Sequence, residues 1–176
     1  MINDLIKVRR SGRCIIDAPS FAHKLWPRVQ PLLPKAHKAF GTTWEPVALN
    51  ERMRFLQYHP GDYFRPHTDG SIALRTSAGQ QQRSFYTLMI YLDAPTKGGS
   101  TRFLDPQLSG APPSEVHPRP GLGLVFEHDL LHEGATLEEG VKHALRTDVM
   151  FRKKPGAPTQ FASLEQMLGL KAAGKM

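Results

Sequence analysis

A single cysteine, Cys14, stands in 176 residues, so no internal disulfide can form and nothing points to an oxidising compartment. No apolar run reaches the roughly 18 residues that a membrane span requires. The opening MINDLIKVRRSGRC places charges where a secretory leader needs an unbroken apolar stretch. This predicts no signal peptide and a cytoplasmic or nuclear location, away from any membrane. Internal repeats and low-complexity tracts are absent, which leaves an ordinary domain. Acidic residues are the scarcer charge, 16 against 23 Lys and Arg, for a formal net charge of +7. Such an excess attracts nucleic acid or acidic partners without specifying a fold. Much of it falls at Lys7, Arg9 and Arg10 and at Arg152, Lys153, Lys154, Lys171 and Lys175, where a solvated surface accounts for it. No platform of interleaved aromatics and bases accompanies it, so a nucleic-acid partner is not expected.

What is present is the composition of a globular chain, 40% hydrophobic and 22% charged, enough for one domain with one core. Residues 17–40 carry cap chemistry at Asp17 to Ser20 and a helical stripe of Leu25, Val29, Leu32 and Leu33. Pro27, Pro31 and Pro34 make that helix short or broken. From residue 49 the pattern changes to short strands: Arg52–Tyr58, Tyr63–His67, Phe85–Leu92, Thr101–Leu104, Glu115–Pro118, Leu122–Glu127 and His143–Arg152. Turn residues separate them at Pro60-Gly61-Asp62, Asp69-Gly70, Gly98-Gly99, Pro112-Pro113 and Pro120-Gly121. Residues 71–83 are polar and are expected to form a loop or lid. A last helix is predicted over 161–170. The expected organisation is a mainly β core at 49–154, a helical flank at 1–48 and a tail at 155–176, with many short strands arguing a sandwich or barrel.

The chemistry concentrates at His67-Thr68-Asp69, an imidazole and a carboxylate at i and i+2. On a strand, both leave the same face with Cα atoms roughly 6.6 Å apart. A third ligand must come from elsewhere; His132 is the best placed and His128 is its rival. Two histidines with one carboxylate form a facial triad with open positions, the arrangement suited to Fe(II). A structural zinc site would close a four-ligand shell, usually with cysteines. Taken alone the triplet is weak, since H-x-D recurs by chance.

The surrounding residues add specificity. Tyr58-His59-Pro60-Gly61-Asp62-Tyr63-Phe64-Arg65-Pro66-His67-Thr68-Asp69 resembles the Y-x-x-G-x-x-[FY]-x-x-H-x-D segment of prolyl 4-hydroxylase-like 2-oxoglutarate/Fe(II) oxygenases. Leu88 to Asp93 followed by Gly98-Gly99-Ser100-Thr101-Arg102-Phe103 is similar to the family's Y-L-N … G-G-x-T-x-F block. Pro120 to Phe126 then precedes His132, and Gly140-Val141-Lys142 precedes Leu145 to Phe151. Four blocks in order cover roughly residues 52–152.

The resemblance implies a double-stranded β-helix (jelly roll) with one or two flanking N-terminal helices and a short C-terminal helix. It implies Fe(II) held by His67, Asp69 and His132, with 2-oxoglutarate and O2 as co-substrates and ascorbate as reductant. Lys142, ten residues after His132, matches the basic residue that pairs with the far carboxylate of 2-oxoglutarate. Arg146 is the alternative anchor, since residues 142, 144, 146 and 148 share one strand face. Tyr58 and Tyr91 carry over as donors to that carboxylate, though either also fits core packing. Tyr63 and Arg65 are candidate substrate contacts. The activity implied is hydroxylation of an unactivated C–H bond with release of succinate and CO2. A prolyl residue of a peptide is the substrate the family suggests, and a small molecule is equally open. A catalytically silent jelly-roll binding module and a nucleic-acid-directed oxygenase are the readings from other classes.

Overall fold

The computed structural model describes residues 8–77, 79–104 and 113–154. In chain order these form β1 (Arg9–Arg10), β2 (Gly12–Asp17), α1 (Pro19–Val29), a 3-10 turn (Gln30–Leu32), β3 (His37–Ala39), β4 (Thr42–Leu49), β5 (Arg52–Tyr58) and β6 (Tyr63–His67). There follow β7 (Ala73–Arg75), β8 (Gln81–Tyr91), β9 (Lys97–Gly98), β10 (Thr101–Phe103), β11 (Ser114–Val116), β12 (Gly123–Glu127), β13 (His132–Gly134), β14 (Leu137–Glu139) and β15 (Lys142–Lys153).

Strands β9 and β14 pair as a separate two-stranded ladder, and the remaining strands curl into two facing antiparallel sheets. One runs β1-β6-β13-β10-β11; the other runs β12-β8-β15-β4-β3, with β5 and β2 continuing beyond β15 and β7 beside β8. This is the jelly roll the sequence predicts. β15 is its spine, pairing with β8 along one edge and with β5 and then β4 along the other. Leu145, Val149 and Phe151 on β15 join Met53, Leu88 and Trp44 in a core that α1 covers with Ala22 and Val29. Each such large side chain, fully buried, contributes roughly 1.5–3 kcal/mol. A second cluster, Met89, Tyr91, Phe126 and Ala144 with Phe103, fills the space between the sheets.

The helix is shorter than residues 17–40. Pro19 sits in its first turn, Pro27 removes a donor inside it, and the chain passes through the 3-10 turn at Pro31 into extended backbone. Strands β2, β3 and β4 occupy stretches that carry no strand signal in the sequence. Residues 71–83 are a hairpin rather than a loop: Ala73, Leu74 and Arg75 pair with Arg83, Gln82 and Gln81. The expected helix at 161–170 lies outside the described residues. Among the described residues no helix is long and apolar enough to cross a membrane.

Candidate metal centre

Strand register determines which side chains share the interior. Across β5, β15 and β8 the opposed residues form layers: Tyr58 with Lys142; Leu56 with Ala144 and Tyr91; Arg54 with Arg146 and Met89; Asp148 with Thr87. Strand β12 sets Phe126 beside Thr87. The even-numbered face of β15 therefore points into the roll, as the spacing predicts. The space it lines is a partly open cavity, with His67, Asp69 and His132 on one wall and Lys142 and Arg146 on the other.

His67, Asp69 and His132 offer ligand atoms that all lie within 4.8 Å of one another. His67 Nε2 is 3.7 Å from one Asp69 oxygen and His132 Nε2 is 3.8 Å from the other. The Nδ1–H of His67 donates to the Arg65 carbonyl at 2.7 Å, and that of His132 to the Leu130 carbonyl at 2.8 Å. These bonds fix the tautomer, so each Nε2 presents a lone pair toward the carboxylate, as metal-binding imidazoles do. Burial also holds the His67 pKa below the usual range and favours the neutral ring. Asp69 is oriented in turn: Thr87 Oγ1 donates to its Oδ2 at 2.5 Å, and Arg146 Nη2 pairs with its Oδ1 at 2.8 Å. Two imidazoles and an oriented carboxylate are a donor set that fits Fe(II) with coordination positions left open.

The elements explain the convergence. β6 ends at His67 and β13 begins at His132, its partner across the ladder. Asp69 lies beyond the strand end, held by its backbone N–H on the His128 carbonyl at 2.8 Å. His128 thus contributes backbone here. Its buried ring turns away, with Nε2 3.8 Å from Asp148, and His132 rather than His128 completes the cluster.

A bulge re-aims β6. Phe64 and His67 are three positions apart while their partners Gly134 and His132 are two apart, so β6 carries one extra residue. Strict alternation would turn Tyr63, Arg65 and His67 to one side. Instead Phe64 joins His67 at the cavity, its ring stacked on the imidazole at 3.5 Å between centroids. The Arg65 guanidinium sits over the Tyr63 ring at 5.4 Å, and both line a shallow depression outside the metal cavity.

Lys142 is buried at the opposite wall. Its Nζ donates to the Gly99 carbonyl at 2.5 Å and lies 4.9 Å from the Tyr58 ring centroid and 5.4 Å from that of Tyr91. The approach to Gly99 depends on a Gly98-Gly99 turn with φ of 76° and 72°. Burial pulls the Lys142 pKa down to about 8. Burial pushes the Tyr58 and Tyr91 phenols up, so both keep their protons. Tyr58 lines the cavity; the Tyr91 hydroxyl is committed to Thr101 Oγ1 at 2.7 Å. Arg146 lies against Asp69 instead of beside Lys142, and Asp148 pairs with Arg54 at 2.9 Å.

Three contributors to this site carry no signal in the sequence: Thr87, Arg9 and Arg13. Phe64 holds the [FY] position of the family-like segment, but only the β6 bulge reveals its place against His67, and only the register of β8 reveals Thr87. The two arginines reach the cavity from β1 and β2.

A β-roll whose mouth brings two histidines and a carboxylate together defines the class of mononuclear metal oxygenases with a facial triad. A family model described as the 2OG-Fe(II) oxygenase superfamily matches residues 53–147, and the chain belongs to that family. Membership implies Fe(II), 2-oxoglutarate and O2. Among curated proteins, an uncharacterized protein of fowlpox virus is 26% identical over 144 residues, covering 80% of this chain and 32% of the relative. The chain thus spans about a third of that relative's length. Among solved structures, the chain is similar to a collagen prolyl hydroxylase of Paramecium bursaria Chlorella virus 1 with 2-oxoglutarate bound (20% identity, TM-score 0.50, 81% of this chain and 79% of that one). It is also similar to a prolyl-4-hydroxylase of Pseudomonas putida (18%, 0.51, 84% and 74%). A prolyl hydroxylase of Trichoplax adhaerens, in complex with a hypoxia-inducible factor peptide fragment, matches at 15% and 0.52, with 82% and 63% covered. At these identities the likeness establishes the prolyl 4-hydroxylase-like fold.

Proposed function

We propose that the protein hydroxylates an unactivated C–H bond of a peptide or small-molecule substrate, converting 2-oxoglutarate and O2 to succinate and CO2. The observation that carries this reading is Lys142, a buried cation facing the cavity with no carboxylate in hydrogen-bond or ion-pair contact among the described residues; Asp93, the acidic group whose charge reaches it, is committed to His143. An unpaired buried charge is costly, and a dicarboxylate whose near end is held at His67, Asp69 and His132 would supply the missing partner. In this reading Lys142 binds the far carboxylate and Tyr58 donates its phenol to it. Arg146 acts on Asp69, holding the carboxylate with Thr87 so that it cannot rotate. Phe64 and Phe126 pack on the His67 and His132 rings and keep water off them. When bound, Fe(II) with 2-oxoglutarate supplies the O2-dependent oxidation, and the chain's role is to orient the C–H bond beside it. Ascorbate is the reductant we assign for keeping the iron ferrous. A prolyl ring is the first substrate to try, because prolyl hydroxylases recur among the similar folds.

The test combines Fe(II), 2-oxoglutarate and ascorbate with a peptide and metabolite library, reading succinate and the gain of one oxygen atom by mass. Iron-dependent succinate that vanishes in Asp69→Ala is expected. Absence of succinate under every condition, or succinate that survives Asp69→Ala, would overturn the proposal.

A further inference from the structure

We infer that Arg9 and Arg13, on the two N-terminal strands, form an oxyanion subsite for the prime substrate, so that the compound oxidised carries a carboxylate or phosphate. This rests on the function proposed above and adds the substrate's chemistry to it. Five basic side chains line the cavity: Arg9, Arg13, Arg54, Lys142 and Arg146. Three have roles already. Arg54 pairs with Asp148 at 2.9 Å and Arg146 with Asp69 at 2.8 Å, while Lys142 stands at the co-substrate end. Arg9 and Arg13 have no acidic partner among the described residues. Their neighbour Arg10 does, reaching Asp62 at 3.2 Å on the other side of β1.

Placement ties the pair to the metal wall. β1 runs antiparallel to β6 with Arg9 opposite Phe64, and the Arg9 guanidinium lies 5.5 Å from the centroid of that ring. The same ring stacks on His67, so Arg9 is one aromatic layer from a candidate iron ligand. Arg13 stands opposite Leu56, in the layer between Tyr58–Lys142 and Arg54–Arg146. The two guanidiniums therefore flank the opening by which a substrate would reach the metal. They also repel one another: burial first, and then the Arg13 charge, push the Arg9 pKa down. Arg9 is partly buried and Arg13 is exposed at the rim; two like-charged forks with no acidic partner among the described residues gain from an oxyanion that takes hydrogen bonds from both. Both residues precede the matched family segment at 53–147. A compact anion needs only this pair of forks, whereas a polyanion needs a longer stripe of bases.

The experiment measures binding by calorimetry to the full chain loaded with Mn(II) and saturating 2-oxoglutarate, without O2. The probes are N-acetylproline against N-acetylprolinamide, and N-acetyl-O-phosphoserinamide against N-acetylserinamide. At least one anionic member should bind and its neutral partner should bind at least about tenfold more weakly, the scale of a charge-assisted hydrogen bond. Which pair discriminates tells carboxylate from phosphate. Arg9→Met with Arg13→Met should remove the discrimination, and Arg9→Lys with Arg13→Lys should restore part of it. Equal binding of charged and neutral members, or no binding by any anionic probe, overturns the inference. So does a double variant whose 2-oxoglutarate affinity collapses, since the arginines would then be co-substrate anchors. A single-stranded oligonucleotide that binds where every small anion fails does the same. If the chain binds neither Mn(II) nor 2-oxoglutarate yet still discriminates through Arg9 and Arg13, the proposed reaction fails and the subsite stands.

Discussion

Lys142→Met is expected to make the ligand-free protein more stable while abolishing its use of 2-oxoglutarate. The lysine is 3% exposed, and its pKa falls from the ordinary 10.5 to about 8. Holding that charge at neutral pH costs about 3 kcal/mol, at about 1.4 kcal/mol per pKa unit. Methionine keeps the apolar stem and forfeits the hydrogen bond to the Gly99 carbonyl, a loss of about 1 kcal/mol. The net gain at pH 7 is then roughly 2 kcal/mol. The unfolded chain holds the lysine proton up to about 10.5 and the folded chain releases it near 8, so the unfolded state binds more protons in that window. Wild-type stability therefore rises with pH there, and the variant's advantage shrinks. Urea unfolding of both proteins, free of metal and co-substrate, at about pH 7 and about pH 9 reads both effects. In parallel, 2-oxoglutarate affinity should fall by about a hundredfold, because its far carboxylate loses a desolvated charge partner. A variant less stable than wild type at pH 7, or an advantage that does not change with pH, would refute the reasoning.

Arg146→Gln should weaken Mn(II) binding about 10–100-fold by freeing Asp69, with a smaller change in the 2-oxoglutarate requirement. Equilibrium dialysis and a co-substrate titration separate the two, and the reverse pattern would make Arg146 the anchor. Tyr58→Phe should lower 2-oxoglutarate affinity several-fold, whereas Tyr91→Phe should leave it within about twofold and lose about 1 kcal/mol of stability with the bond to Thr101. Gly98→Ala should destabilise by at least about 2 kcal/mol, since its φ is 76° and a Cβ would stand 2.5 Å from the Thr136 carbonyl. A thermal-unfolding difference within about 0.5 kcal/mol would refute that account of the turn.

Strands bounded by turn residues were legible to the residue: Arg52–Tyr58 and Tyr63–His67 coincide with β5 and β6. Their ends were clear because Pro60-Gly61-Asp62 stands between them, where the chain crosses from one sheet to the other. β2 is exposed along its whole length, so it has no alternation to read. β4 contains Pro46, which argues against a strand, yet Pro46 sits at a bulge in β4, where Ala48 and Pro46 oppose the consecutive Met150 and Phe151 and no regular ladder bond is needed. The β7–β8 hairpin is polar on both faces near its tip, and such ribbons lack a hydrophobic period. The triad was legible because its residues lie in compact motifs. The bulge at β6 was not, since reading with a period of two presumes no extra residue. Arg9 and Arg13 were hidden for a different reason: nothing local distinguishes a solvated arginine from one that long-range pairing delivers to a cavity.

β15 carries Lys142, Arg146 and Asp148 on one face and Leu145, Val149 and Phe151 on the other. Anything that peels this strand away dismantles the pocket and strips the helix-backed core together, so the site has no low-energy route to partial opening. Amide protons along β15 should therefore exchange with solvent only when the whole domain unfolds. An occupant gripping Lys142 would slow that exchange throughout the larger sheet, including strands it never touches.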